Sequence, residues 1–208
     1  MRREDLVELA PMLRRAISLD RSALTRIRGE DDRISALVRL PFGVLAARTV
    51  TVTDPMPQID TAMRAGELVA WLDGDRASAP EARDAEWRTG LPPTSGWQRI
   101  DTVPDADVRS VVRSGARALR DAAEREGLPG AQPRAEVADA LLDAVVLTVT
   151  ESTRTAEISL RTLSALTRLG FLPTGSHIAV DLAGRWIRVA AEYGSVYAER
   201  PGLGLSVR

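Results

Sequence analysis

The segment HIAVDLAGRWIRVAAEYGSVYAE, residues 177–199, predicts three consecutive antiparallel strands near the carboxyl-terminal end of the chain. Runs of apolar and β-branched residues are typical of strands, and glycine favours the turn between the first two runs. A two-residue turn at Ala183 and Gly184 would place four apolar side chains on one buried face. In that register Val180 lies opposite Ile187, and Ile178 lies opposite Val189.

A second group of strands is predicted in the amino-terminal part of the chain. Residues 33–40 alternate between apolar and polar side chains, and residues 49–53 form the β-branched run TVTVT. The sequence Gly29-Glu30-Asp31-Asp32 has the composition of a hairpin turn. After Pro55, apolar residues recur at helical spacing as far as Asp73, which predicts a helix that covers the strands.

Three further helices are predicted in the second half of the chain. They cover residues 105–126, 135–143 and 160–169, and Gly170 is expected to cap the last of them, with Phe171 making the accompanying apolar contact. The predicted fold class is therefore α+β, with an amino-terminal and a carboxyl-terminal antiparallel meander packed against several helices.

The order of these elements predicts two lobes. Residues 1–74 would form the first lobe, residues 75–103 a connection rich in proline and glycine, and residues 104–208 the second lobe. One continuous domain is the alternative, because 208 residues fit within either arrangement.

The composition excludes several kinds of chemistry. All 28 basic residues are arginine, cysteine is absent, and His177 is the only histidine. These absences exclude a lysine Schiff base, a thiol nucleophile, a thiolate metal site and a site with two histidines. We therefore predict no catalytic residue, no metal and no cofactor, and we expect His177 to be a surface histidine.

Charge and hydropathy restrict the expected partners. The formal net charge is −1, which gives no general attraction to nucleic acid, and no apolar run reaches about 18 residues, the length that predicts a membrane span. The sequence therefore predicts neither a membrane nor a nucleic-acid partner, and the cytoplasm is the expected location. A composition rich in arginine and free of lysine is typical of bacteria with GC-rich genomes.

One candidate binding site lies on the predicted helix at residues 105–126. Four arginines spaced by four, four and three residues fall within about 80° of its circumference, at about 100° per residue. Such a ridge suits an acidic protein or an anionic small molecule, because guanidinium groups form bidentate contacts with anions. The alternative is a solvated face neutralised by Asp121 and Glu124. The ridge consists of Arg109, Arg113, Arg117 and Arg120.

A second candidate site is the connection between the lobes. Trp87 and Trp97 bracket its proline-rich centre. Tryptophan side chains are large and amphipathic, so these two either pin the connection to the core or anchor a partner.

Three functions follow from these features, in order of preference. The first is a noncatalytic binding or protein-interaction protein of the bacterial cytoplasm. The second is an enzyme whose carboxylate and arginine groups come together only in three dimensions. The third is a winged-helix-like binder of nucleic acid, with residues 177–191 as the wing. Residues 134–208 hold eight arginines and eight carboxylates, and this balance argues against the third function.

Overall fold

The computed structural model describes residues 3–41, 43–127 and 134–200, which form helices and antiparallel strands in similar amounts. This confirms the predicted α+β fold class. The helices are α1 (Ala10–Leu19), α2 (Ala65–Asp73), α3 (Asp105–Arg125), α4 (Ala135–Asp143) and α5 (Leu160–Arg168). The strands are β1 (Leu24–Arg39), β2 (Leu45–Arg64), β3 (Gln98–Pro104), β4 (Val145–Glu151), β5 (Arg154–Ser159), β6 (His177–Ala183), β7 (Trp186–Ala191) and β8 (Gly194–Glu199).

Six strands form one antiparallel sheet in the order β1-β2-β8-β7-β6-β3. Strands β4 and β5 form a separate hairpin. Strand β2 joins the carboxyl-terminal strands through three residue pairs with β8, from Leu45 opposite Tyr197 to Ala47 opposite Ser195. The amino-terminal hairpin and the carboxyl-terminal meander therefore belong to the same sheet.

One face of this sheet forms the floor of the hydrophobic core. A continuous row of side chains crosses five neighbouring strands, and each of them is fully buried. This row consists of Val38, Ala46, Val196, Val189 and Val180. Because side chains alternate along a strand, the intervening residues lie on the opposite face of the sheet.

Helices from both halves of the chain complete the core. Helix α5 contacts β7 and β8, α3 contacts α5, and α1 packs against α2. The guanidinium group of Arg15 on α1 donates a hydrogen bond of 2.7 Å to the carbonyl of Leu169 at the end of α5. One buried apolar cluster includes residues from the first and the second half of the chain. The predicted boundaries at residues 74 and 103 remain a prediction.

The expected turn at residues 29–32 is wrong. Strand β1 continues through this segment, and its pairing with β2 shifts register on either side of Asp31, which has a φ of 55°. The glycine and acidic residues therefore form a bulge within a long strand. A bulge inserts an extra residue without ending a strand, so the same composition serves both structures.

The predicted helix after Pro55 begins too early. Residues 59–64 belong to β2 and pair with residues 24–29 of β1, and α2 starts only at Ala65. Apolar residues at helical spacing favoured a helix here. The hydrogen bonds to a distant strand outweigh that local pattern.

The turn between β6 and β7 lies one residue later than expected. Ala183 pairs with Trp186, and the turn consists of Gly184, with a φ of 54°, and Arg185. Val180 consequently lies opposite Val189, and Leu182 lies opposite Ile187. A left-handed backbone at the first turn position favours glycine there, so the predicted register is wrong although its apolar residues do share a buried face.

Strand β3 begins within the predicted connection, and the expected wing differs from the prediction. Residues 98–103, expected to lie in the connection, belong to β3, which pairs with β6. Strands β6 and β7 lie inside the six-stranded sheet, between β3 and β8. They therefore do not form the free two-stranded wing that the third functional hypothesis requires.

Candidate partner-binding surface

Helix α3 follows strand β3 directly, and its first turn is fixed to the neighbouring strand. The backbone nitrogen of Asp105 donates a hydrogen bond of 3.0 Å to the carbonyl of Ser176, which precedes β6. The side chain of Asp105 is buried at the amino-terminal end of the helix. A carboxylate is stabilised there by the positive end of the helix dipole.

Arg109 uses its guanidinium group inside the molecule. Its Nε donates a hydrogen bond of 3.0 Å to Oδ2 of Asp105, and its Nη2 donates to the carbonyl of Leu172, just beyond α5. Arg109 therefore links the first turn of α3 to the end of α5. It does not share the exposure of the other three arginines of the predicted ridge.

Arg113, Arg117 and Arg120 form an exposed row on α3, which we call the arginine row. Nη2 of Arg117 donates a hydrogen bond of 3.0 Å to the hydroxyl of Ser114 on the same helix. Within residues 3–41, 43–127 and 134–200, no carboxylate lies within ion-pair distance of these three side chains. In this part of the chain, the pairs with Asp121 and Glu124 that the alternative interpretation requires are not formed.

Arginines on the sheet behave differently. Nε of Arg26 lies 2.5 Å from a carboxylate oxygen of Asp60 on the neighbouring strand, and this hydrogen bond raises the pKa of Arg26. On strand β7, Nε of Arg188 donates a hydrogen bond of 2.9 Å to the buried carboxylate of Asp181 on β6. These ion pairs are internal to the fold, so they leave little guanidinium surface for a partner.

An apolar depression of about 310 Å³ lies beside the arginine row, and we call it the helical groove. It is bounded by three helices, and most of its lining side chains are small or apolar. The lining residues are Val112, Ala116 and Leu119 of α3, Ala138 and Leu142 of α4, and Ser164, Thr167 and Arg168 of α5.

Helix α4 is poorly buried, and the sequence prediction overlooked the surface it forms. All of its residues are described, and none is fully buried. Its apolar side chains Val137, Leu141 and Leu142 are only partly covered. The apolar residues at positions 137, 138, 141 and 142 do follow helical spacing. The same pattern occurs in a helix that packs against the core of its own protein and in one that binds a partner.

Trp97 pins the connection to the sheet face opposite the core. Its ring lies 5.6 Å from the ring of Tyr197, and the guanidinium carbon of Arg188 lies 4.5 Å from its centroid. Its indole nitrogen donates a hydrogen bond of 3.0 Å to the carbonyl of Pro93. These contacts tie Trp97 to β7 and β8, away from the helical groove.

Trp87 stabilises the connection locally. Its indole nitrogen donates a hydrogen bond of 2.7 Å to the carbonyl of Thr89, and its side chain is half-buried. The six candidate residues therefore occupy three places: Arg109 inside the helical layer, the arginine row on its surface, and the tryptophans along the connection.

The described part of the chain holds neither a clustered metal site nor a membrane-spanning helix. In residues 3–41, 43–127 and 134–200, no group of three or more histidine or carboxylate side chains is arranged to hold a metal ion. His177 is exposed at the first position of β6, opposite Pro104. No helix among the described residues has the length and apolar character needed to cross a membrane.

Solved structures with a similar fold include bacterial DNA polymerase subunits and sliding clamps. The DNA polymerase III subunit beta from Pseudomonas aeruginosa aligns with a TM-score of 0.60 and 10% identity, over 96% of this chain and 63% of that one. A DNA polymerase sliding clamp from Caulobacter crescentus aligns with a TM-score of 0.54 and 12% identity, over 96% of this chain and 64% of that one. The chain thus spans less than two thirds of each and shares their fold.

Two family models divide the sequence inside the connection. Residues 1–91 match the model described as "Domain of unknown function (DUF8010)", and residues 92–203 match "Domain of unknown function (DUF8185)". No curated protein matches the chain. Since the second model covers more than half of the residues, the protein belongs to the DUF8185 family, with a fold that resembles that of DNA polymerase sliding clamps.

Proposed function

We propose that this protein is a noncatalytic binding protein that receives an acidic segment of a partner protein on the arginine row. The observation that carries the proposal is that, among the described residues, no carboxylate pairs with Arg113, Arg117 or Arg120, which lie on successive turns of one helix. Guanidinium groups contact carboxylates through parallel hydrogen bonds, and charge-assisted bonds of this kind contribute about 1.5 to 3 kcal/mol each.

A protein segment fits this surface better than an anionic small molecule. The three arginines lie along an exposed helix, and at about 1.5 Å per residue the row extends about 10 Å. Small ligands usually bind in concave sites that cover most of their surface. An extended row suits a ligand that carries several carboxylates along its own length, as an acidic protein segment does.

The similar structures support a role in assembly. They are a polymerase subunit and a sliding clamp, and a subunit acts by association. Because they come from bacteria, we also propose the bacterial cytoplasm as the location. An enzyme with a carboxylate and arginine site is the second hypothesis, but the buried pairs that approach such a site, such as Arg188 with Asp181, are already bonded to each other.

Selection from a displayed library of random linear peptides tests the proposal. The wild-type protein serves as bait, and the enriched peptides are measured against the triple variant Arg113→Gln, Arg117→Gln, Arg120→Gln. A matched control replaces three other exposed arginines on strands and the connection, Arg33, Arg39 and Arg88, and removes the same charge.

We expect peptides rich in Asp and Glu that bind the wild type and the control equally. The row variant should lose at least tenfold in affinity, because even one charge-assisted contact corresponds to that factor. Enriched peptides without carboxylates, or equal losses in both triple variants, would refute the proposal. Arg109 is left intact in both because its bonds belong to the fold.

A further inference from the structure

The helical groove and the arginine row form one composite surface. Arg113 follows Val112, Arg117 follows Ala116, and each arginine therefore lies about 100° around the helix from a groove residue. The lining residue Arg168 adds an exposed guanidinium group on α5. The apolar depression thus has basic side chains next to it on α3 and within it on α5.

The packing around α4 shows that this surface is incomplete. Helix α5 buries Leu160, Leu163 and Leu166 fully, whereas α4 buries no side chain fully although its apolar residues face the same region. Partly covered apolar side chains around a depression, rimmed by polar groups, are typical of sites where another chain packs.

We propose that the partner segment is an amphipathic helix that inserts apolar side chains into the helical groove while its carboxylates contact the arginine row. The inference rests on the proposed function and specifies the class of ligand. Val112, Ala116 and Leu119 span two turns of α3, which matches apolar anchors placed three or four residues apart on a bound helix. Charge complementarity selects an acidic helix over a basic one.

A larger side chain placed in the helical groove tests the inference without changing the charge of the arginine row. Ala138 lines the groove on α4, and Ala138→Phe would fill part of it without replacing a buried residue. Ala140 lies two positions further along and is exposed, so Ala140→Phe adds the same ring on another side of α4. The peptides enriched against the wild-type protein serve as probes, with versions in which their apolar residues are replaced by Ser.

We expect Ala138→Phe to weaken peptide binding at least tenfold, Ala140→Phe to leave it unchanged, and the Ser-substituted peptides to bind poorly. If the arginine variant loses peptide binding but Ala138→Phe binds fully, the inference is overturned and the proposed function stands. If Ala138→Phe loses peptide binding but the arginine variant binds fully, both are overturned, because the ligand is then not acidic.

Methyl NMR of the wild-type protein gives a measurement that needs no groove variant. Titration with an enriched peptide should shift the methyl signals of Leu119 and Leu142, and shifts confined to other leucines would overturn the inference.

Sedimentation of the wild-type protein and of Ala138→Phe over a range of concentrations tests whether a second copy of the chain occupies the groove instead. A dimer that Ala138→Phe abolishes would place a second copy of the chain in the groove and overturn the proposed partner.

Discussion

Tyr197 is a half-buried phenol on β8, next to Trp97 and Arg188. Burial raises its pKa above the ordinary value of 10.0, against the opposing attraction of the Arg188 guanidinium group. The unfolded chain therefore releases this proton at a lower pH than the folded protein does. Stability due to the buried neutral phenol is fully present below about pH 10 and is lost as the pH rises through the folded pKa.

The composition makes this loss measurable. Lysine, which titrates near pH 10.4 in other proteins, is absent, and arginine stays charged up to about pH 12. We expect the free energy of unfolding to fall above pH 10 by up to about 1.4 kcal/mol per pH unit, and Tyr197→Phe to remove this dependence. In a Tyr193→Phe background, tyrosinate absorbance reports Tyr197 alone. Equal midpoints in the folded and denatured states would contradict the prediction.

Arg109 and Gly170 show which contacts of single residues the sequence can and cannot predict. Spacing alone placed Arg109 with Arg113 and Arg117, because all of them fall within one sector of α3. Spacing says nothing about Leu172, whose carbonyl accepts from Arg109 across a gap of more than sixty residues. By contrast, the cap at Gly170 was predictable. Gly170 has a φ of 67°, and the nitrogen of Phe171 donates to the carbonyl of Leu166 within the same turn.

At the scale of elements, sequence patterns correctly predicted the helices and strands that form with little dependence on distant partners. Helices α3, α4 and α5 and strands β6, β7 and β8 lie close to their predicted positions. The larger errors concern β1 and β2, which depend on pairing with distant partners, whereas the turn between β6 and β7 lies only one residue later than predicted. Residues 59–64 favour a helix by themselves but pair with residues 24–29, and a single sequence does not reveal that partner.

The junction between β2 and β8 gives a prediction at this scale. Among the described residues, three residue pairs join these strands, and Gly194 begins β8 beside them. A Cβ at this position would lie 2.7 Å from the carbonyl oxygen of Ala47 and 2.6 Å from the ring of Phe171. Backbone does not yield as a flexible side chain does, so we expect Gly194→Ala to lower the free energy of unfolding by about 1 to 3 kcal/mol.

Gly66→Ala is the matched control for this substitution. Gly66 lies in α2 with no atom within 4 Å of an added Cβ, and alanine is favoured over glycine in helices by up to about 1 kcal/mol. Urea denaturation of the two variants should therefore show opposite changes in midpoint. A Gly194→Ala protein as stable as the wild type would show that the junction accommodates a side chain.

At the scale of the whole molecule, the balance of charge argues against a nucleic acid partner. The fold resembles that of DNA polymerase sliding clamps, but the likeness is one of fold alone. The five helices of this chain together carry nine arginines and nine carboxylates, and the whole chain has a formal charge of −1. Affinity for a nucleic acid backbone comes mainly from an excess of basic side chains that displace counterions, and this protein has none.

We therefore expect no appreciable DNA affinity at physiological salt, measured by fluorescence anisotropy with a labelled duplex of mixed sequence. The titration runs from about 50 mM to about 200 mM salt, where a protein with six to ten phosphate contacts loses about 10³ to 10⁵ in affinity. Submicromolar binding with such a slope would contradict the prediction, and the Arg113→Gln, Arg117→Gln, Arg120→Gln variant would then show whether the arginine row carries it. Absence of binding even at about 50 mM salt would leave the acidic protein segment as the expected ligand.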